Sequence, residues 1–188
     1  MRIVVSGTHG SGKSTLISDF ALRDPEYTVL GDPFDLLDES WDLDGVEMFT
    51  AQLRLSAQRL IAHEGGDHVI AERGPIDFLA YLTAAAELSG GRLPAELLVR
   101  AGSWTASALE DVDILVVLPL TPDLPPVGDD EDPELRAAMD DVLLDLIDDP
   151  DVVGETVVVA DLGGDRASRL AELERLVRRV SGGSPSGS

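Results

Sequence analysis

Lys13 is the only lysine in a chain of 188 residues, and Gly7-Thr8-His9-Gly10-Ser11-Gly12-Lys13-Ser14-Thr15 around it follows the G-x-x-x-x-G-K-[ST] (Walker A) spacing of a phosphate-binding loop. A polyphosphate is held by successive backbone N–H groups converging on a concavity. That geometry calls for residues that tolerate positive φ or that lack a Cβ in the anion's way, and Gly7, Gly10 and Gly12 supply it. The Lys13 ammonium can reach the β- and γ-phosphates of a nucleotide, the Ser14 hydroxyl can ligate Mg²⁺, and a helix starting there turns its positive end to the anion. His9 sits at a variable position of the loop and reads as filler.

Two further groups could take part in the same chemistry. Glu72 and Arg73 follow a short β-prone run and precede Gly74-Pro75-Ile76-Asp77. A carboxylate at a strand tip beside a phosphate loop can orient Mg²⁺ or its water, and a neighbouring arginine can stabilise charge on a transferring phosphoryl group. The two could instead be a strand-end ion pair; the upstream phosphate loop favours the functional reading. Asp32, in Gly31-Asp32-Pro33, would lie just past the carboxyl end of a second strand, where open α/β sheets bind ligands. It is equally a turn former between Gly and Pro, and both readings stand. Gln52, Arg54, Gln58 and Arg59 lie on an amphipathic stretch and fit a solvated helix face better than a pocket wall.

These residues need a scaffold that brings strand ends together. Apolar runs at Arg2–Ser6, Tyr27–Leu30, His68–Ala71, Asp113–Leu118 and Thr156–Ala160 read as five strands. They alternate with helical patterns over Ser14–Leu22, Gly45 to about Glu64, Phe78–Leu88, Pro94–Glu110, Leu135–Ile147 and Ala167–Val180. Alternation of this kind predicts an α/β fold, a parallel sheet with helices on both faces, as one domain over residues 1–180. Five prolines between Pro119 and Pro133, together with Asp129, Asp130, Glu131 and Asp132, mark a lid-like acidic segment at about 119–150. The Gly/Ser/Pro tail over 181–188 is expected to be disordered.

Composition narrows the partners. A formal net charge of -22 repels nucleic acid and anionic membrane surfaces, while a loop, a lysine and a metal ion can still hold ATP at close range. With no cysteine, disulfides and thiolate metal sites are excluded, which suits a reducing cytosol. No apolar run approaches the ~20 residues that span a bilayer, and the first residues read as strand and phosphate loop rather than a leader. A cytoplasmic protein with no membrane and no nucleic-acid partner is expected.

With the phosphate loop, Glu72-Arg73 and the following G-P-I-D-F-L-A-Y segment, the chain resembles the P-loop nucleoside and nucleotide kinases, and more narrowly the small AAA-type ATPase/kinase proteins related to the ribosylnicotinamide kinase domain. The resemblance implies a P-loop NTPase fold of strand order 2-3-1-4-5, ATP and Mg²⁺ as cofactors, and phosphoryl transfer to a small acceptor. It places the catalytic base on Asp32, the acid–arginine pair on Glu72 and Arg73, and an adenine-packing turn on Gly163 to Arg166. The lid departs from the family pattern. From Thr121 to Glu155 thirteen acids face one base, Arg136, so Arg136 alone would close over the phosphates. A neutral or cationic acceptor suits that balance better than a nucleoside monophosphate, which would want several arginines.

The expectation is therefore an ATP- and Mg²⁺-dependent kinase of a nucleoside-like or other hydroxyl compound. Lys13 and the loop would hold phosphate, Ser14 and Glu72 the metal, with Arg73 and Asp32 acting on the transfer. The alternative is a nucleotide-binding regulatory NTPase whose acidic lid engages a basic partner protein. The sequence leaves a homodimer open.

Overall fold

Two strands with aliphatic centres, Ile3-Val4-Val5 and Ile114-Leu115-Val116-Val117, set the architecture. β1 (Arg2–Ser6) and β4 (Ile114–Val117) are buried at every residue, as strands covered on both faces must be. In the computed structural model, which describes residues 1–36, 45–62, 66–90, 94–121 and 132–183, they lie side by side at the centre of a five-stranded sheet. Its order is β2-β3-β1-β4-β5, with β2 at Thr28–Leu30, β3 at Val69–Glu72 and β5 at Val158–Asp161. All neighbours pair in parallel, and the register sets Val5 opposite Glu72 and Ser6 opposite Val117. The strand ends that carry Ser6, Leu30 and Glu72 therefore meet on one edge.

Alternation along the strands divides the core in two. Ile3, Val5, Ile114 and Val116 face Leu16, Ile17 and Phe20 of α1 (Lys13–Arg23) and Leu170, Leu173 and Leu176 of α7 (Arg166–Gly183). Val4, Leu115 and Val117 point the other way, toward α2 (Gly45–Ile61), α3 (Pro75–Leu88), α4 (Ala95–Leu109) and α5 (Pro133–Ile147). A side cluster of Phe49, Leu53, Phe78, Leu79 and Leu82 joins α2 to α3.

The elements depart from the sequence expectation at their ends. α3 starts three residues before Phe78, because Pro75 suits a first helical position and the Asp77 carboxylate accepts the Gly74 N–H at 2.9 Å. A short α6 (Pro150–Val153) was not expected; Asp149 caps it through the Asp151 N–H. β5 begins two residues later than Thr156, with the Val158 N–H on the Asp113 carbonyl. α7 runs through Gly183, past the expected end at Val180, so 181–183 are helical rather than tail. Residues 184–188 of that tail, and 122–131 of the lid-like segment with Asp129, Asp130 and Glu131, lie outside the described residues. The remainder of that segment is mostly α5, whose Met139 and Leu143 are fully buried in the cluster that holds Ala80 and Ala84 of α3.

Candidate functional site

The loop after β1 has the geometry its glycines suggested. Gly7, Gly10 and Gly12 have φ of 141°, 70° and 97°, and Gly12 caps α1 in the left-handed region. A Cβ on Gly7 would stand 2.6 Å from the Leu118 carbonyl oxygen. Lys13, 4% exposed, folds its Nζ back over the loop to the Thr8 carbonyl at 2.7 Å. Burial, aided by the Arg73 charge, lowers its pKa to about 8 against the opposing pull of Asp77, Glu72 and Asp32. An incoming phosphate would relieve that cost by placing negative charge beside the ammonium.

The parallel register delivers β3 to the same place. Ser14 Oγ donates to Glu72 Oε1 at 2.7 Å, joining the first turn of α1 to the tip of β3. The next residue, Arg73, is the one non-glycine at positive φ (63°) among the described residues. Its Nε donates to Asp32 Oδ2 at 2.7 Å and its guanidinium lies 5.4 Å from the Tyr81 ring centroid. Burial alone would lower its pKa, but Tyr81, Asp32 and Asp77 raise it further, so Arg73 is a fixed cation. Asp32 also accepts the Phe34 N–H at 3.0 Å and caps the 3₁₀ turn Pro33–Leu36, as the turn-former reading expects.

Two cavities meet at these residues. One, of about 390 Å³, is walled by Gly10, Gly12, Lys13, Ser14, Thr15 and Glu72. The other, of about 500 Å³, is more apolar, with Met48, Phe49, Phe78, Tyr81 and Leu135 around Gln52. Phe49 and Tyr81 stack at 5.1 Å. His9, Asp32, Asp35 and Arg73 line both cavities and form the seam between them.

Matches to known proteins bear on the fold that carries these residues. The sequence model of a family described as an AAA domain covers residues 2–166. The chain belongs to that AAA domain family. No curated protein sequence matches it. Among solved structures, deoxyadenosine kinase from M. mycoides, with products dCMP and dCDP bound, superposes with a TM-score of 0.68 at 12% identity, covering 95% of this chain and all of that one. Thymidylate kinase from Candida albicans gives 0.65 at 20% identity, covering 96% and 92%. NadR protein in complex with NR gives 0.64 at 19% identity, covering 97% of this chain and 52% of that one. At these identities the likeness shows the fold, a five-stranded P-loop kinase-like sheet of order 2-3-1-4-5.

The residues of this AAA domain fit a magnesium nucleotide. The three loop glycines leave a cradle at a helix N-terminus, and Ser14 and Glu72 already touch. Among the described residues no group of three or more His, Cys, Asp or Glu could hold a metal unaided. A hydroxyl, one carboxylate and phosphate oxygens are a donor set Mg²⁺ accepts, whereas a dedicated protein cage is absent among those residues.

Other sequence candidates scatter. Arg136 reaches the site from α5: it lines the larger cavity, its Nη2 lies 3.3 Å from where a Gly10 Cβ would be, and its Nε and Nη2 have no partner among the described residues. In the turn expected to pack on adenine, Arg166 forms a two-point pair with Asp19 of α1, both bonds 2.5 Å, and Gly163 is exposed with nothing near its Cβ position. The arginine of α7 that touches the phosphate loop is Arg169, whose Nη1 donates to the Ser11 carbonyl at 2.8 Å. No local pattern singles it out, because α7 and the loop are far apart in sequence. Of the amphipathic helix set, Gln52 is 1% exposed and faces the larger cavity with Oε1 unpaired among the described residues, against the solvated-face expectation. Arg54 stacks on Trp104, Arg59 donates to the Gly31 carbonyl, and Gln58 is exposed.

Proposed function

We propose that this protein is a phosphotransferase that moves the γ-phosphoryl group of ATP, with Mg²⁺, to a hydroxyl of a small molecule. One observation carries the reading: the phosphate-loop cavity adjoins a second, aromatic-walled cavity, with a carboxylate, Asp32, and a fixed cation, Arg73, lining both. Phosphoryl transfer needs in-line positioning and charge neutralisation more than covalent help from the protein. ATP with Mg²⁺ supplies the transferable group and neutralises its developing charge. Backbone N–H groups from Thr8 to Thr15 and the Lys13 ammonium hold the phosphates; Ser14 and Glu72 hold the metal. Asp32 takes the proton from the acceptor hydroxyl, and Arg73 orients it and faces the transferring group. Arg136 closes over the phosphates from α5.

The acceptor occupies the larger cavity. The Phe49–Tyr81 stack and the unpaired Gln52 Oε1 suit a nucleoside-like ring with a donor on its edge. Asp32, Asp35 and Asp132 face Arg73 and Arg136 there, and Arg73 is already paired, so the cavity favours a neutral or cationic acceptor over a monophosphate.

Calorimetry with Mg·ATP tests the donor half. Lys13→Ala is expected to weaken binding by about tenfold to a hundredfold, the worth of a charge-assisted contact. Asp32→Asn is expected to bind Mg·ATP as the wild type does, yet transfer phosphoryl about 10²- to 10⁴-fold more slowly. Full transfer by Asp32→Asn removes Asp32 as the base. A second reading, a nucleotide-dependent regulator of a basic protein, draws on the exposed acids Asp141, Asp145, Asp148, Asp149 and Asp151 of α5, α6 and the link between them. It expects Lys13-dependent ATP binding without transfer, and salt-sensitive capture of a basic protein.

A further inference from the structure

Asp77 is fully buried (0% exposed), a costly place for a carboxylate unless donors meet it. Capping α3 accounts for one of its bonds, the Gly74 N–H on Oδ2 at 2.9 Å. The other two come from a distant part of the chain: Ser6 Oγ donates to Oδ2 at 2.6 Å and the Gly7 N–H to Oδ1 at 2.8 Å. Ser6 ends β1 and Gly7 opens the phosphate loop. On the other side, Gly74 directly follows Arg73, the residue at φ 63° whose side chain reaches Asp32. The same turn presses on β1, since the Arg73 N–H donates to the Val5 carbonyl at 3.0 Å and a Cβ on Gly74 would stand 2.8 Å from Val4 Cγ1.

We infer that Asp77 is a positioning residue that ties the entrance of the phosphate loop to the Arg73 turn, and so holds the donor and acceptor cavities in register. The inference deepens the phosphotransferase reading. Its physical basis is the number of acceptors. Three donors converge from two segments, and a carboxylate offers two oxygens to receive them. An asparagine of the same shape offers one oxygen and an NH₂ group. The Ser6 hydroxyl can rotate to accept from that NH₂, but whichever way the amide turns, either the Gly7 or the Gly74 N–H faces a donor. The substitution therefore loosens the loop entrance or the Arg73 turn while keeping the volume.

Asp113 supplies the control. Its carboxylate accepts the Arg2 N–H at 2.6 Å, the same kind of bond at the opposite end of β1, away from both cavities. Asp77→Asn and Asp113→Asn are compared with the wild type well below their melting temperatures, by Mg·ATP calorimetry and by amide hydrogen exchange at Gly7 and Gly74. Asp77→Asn is expected to bind Mg·ATP about tenfold more weakly and to exchange at Gly7 or Gly74 about a hundredfold faster, while Asp113→Asn melts earlier with both readouts unchanged. If the two variants behave alike, with affinity intact and Gly7 and Gly74 still protected, Asp77 is a fold residue only and the inference falls. If the wild type binds no Mg·ATP, the phosphotransferase reading falls, and exchange at Gly7 and Gly74 still decides for or against Asp77. Should Asp77→Asn not fold, Ser6→Ala carries the test: exchange at Gly7 or Gly74 about threefold faster or more supports the tie, and wild-type protection overturns it.

Discussion

Gly7 shows how much of the site depends on one missing atom. Its φ of 141° and the Leu118 carbonyl 2.6 Å from its Cβ position leave no room for a side chain, and the obstacle is backbone that cannot step aside. Gly7→Ala is expected to cost about 1–3 kcal/mol in denaturant unfolding and to abolish detectable Mg·ATP binding. Gly102→Ala, in α4 at ordinary φ with nothing near its Cβ, is expected to stabilise by about 0.4–1 kcal/mol and leave binding alone. At this scale the sequence was legible where the cavity-lining residues are contiguous. Lys13 and Ser14 stand in one motif, and Glu72 and Arg73 are adjacent. Asp77 and Arg169 were opaque because their partners, Gly7 and Ser11, lie 70 and 158 residues away. The spacing Gly74-Pro75-Ile76-Asp77 did carry a capping signal, which says that Asp77 caps a helix and nothing of its second oxygen.

Among the elements, α5 decides how Arg136 is delivered. The prolines and acids before it read as a lid, yet the helix itself is anchored by Met139 and Leu143 between sheet and α3. The Asp132 side chain caps its start through the Glu134 and Leu135 N–H groups, and Asp140 accepts the Leu120 N–H after β4. If α5 is part of the core, Leu143→Ala should lower unfolding stability by about 2–5 kcal/mol, as a buried leucine does. A loss below about 1 kcal/mol would mark α5 as a loosely docked flap. The succession of strands and helices along the chain was readable because the two central strands have aliphatic centres and the helices keep their periodicity. Element ends were not, since Pro75, Asp77 and Asp149 set them through capping bonds that hydrophobic periodicity does not encode.

For the whole molecule, charge and topology act at different ranges. The net charge of -22 lies largely on exposed surface such as α5 and α6, where salt screens it. The proposed site depends on contacts at close range, with Lys13, Arg73, Arg136, Glu72 and Asp32 lining two adjacent cavities. No helix of the described residues is long and apolar enough to cross a membrane. Parallel topology makes one edge of the sheet the meeting place of Ser6, Asp32 and Glu72; the sequence put Asp32 and Glu72 at strand ends, and the strand order that makes those ends neighbours came from the family resemblance. The size and lining of the larger cavity depend on α2, α3 and α5 packing together, which no local pattern reports. The central claim is tested most directly by following the label from γ-labelled ATP with Mg²⁺ across nucleosides, nucleoside monophosphates and cationic hydroxyl compounds, beside Lys13→Ala. Label is expected to move onto a neutral or cationic hydroxyl compound, and Lys13→Ala to abolish the transfer. Tight, Lys13-dependent ATP binding with label appearing on no acceptor, or transfer that persists in Lys13→Ala, would contradict that claim.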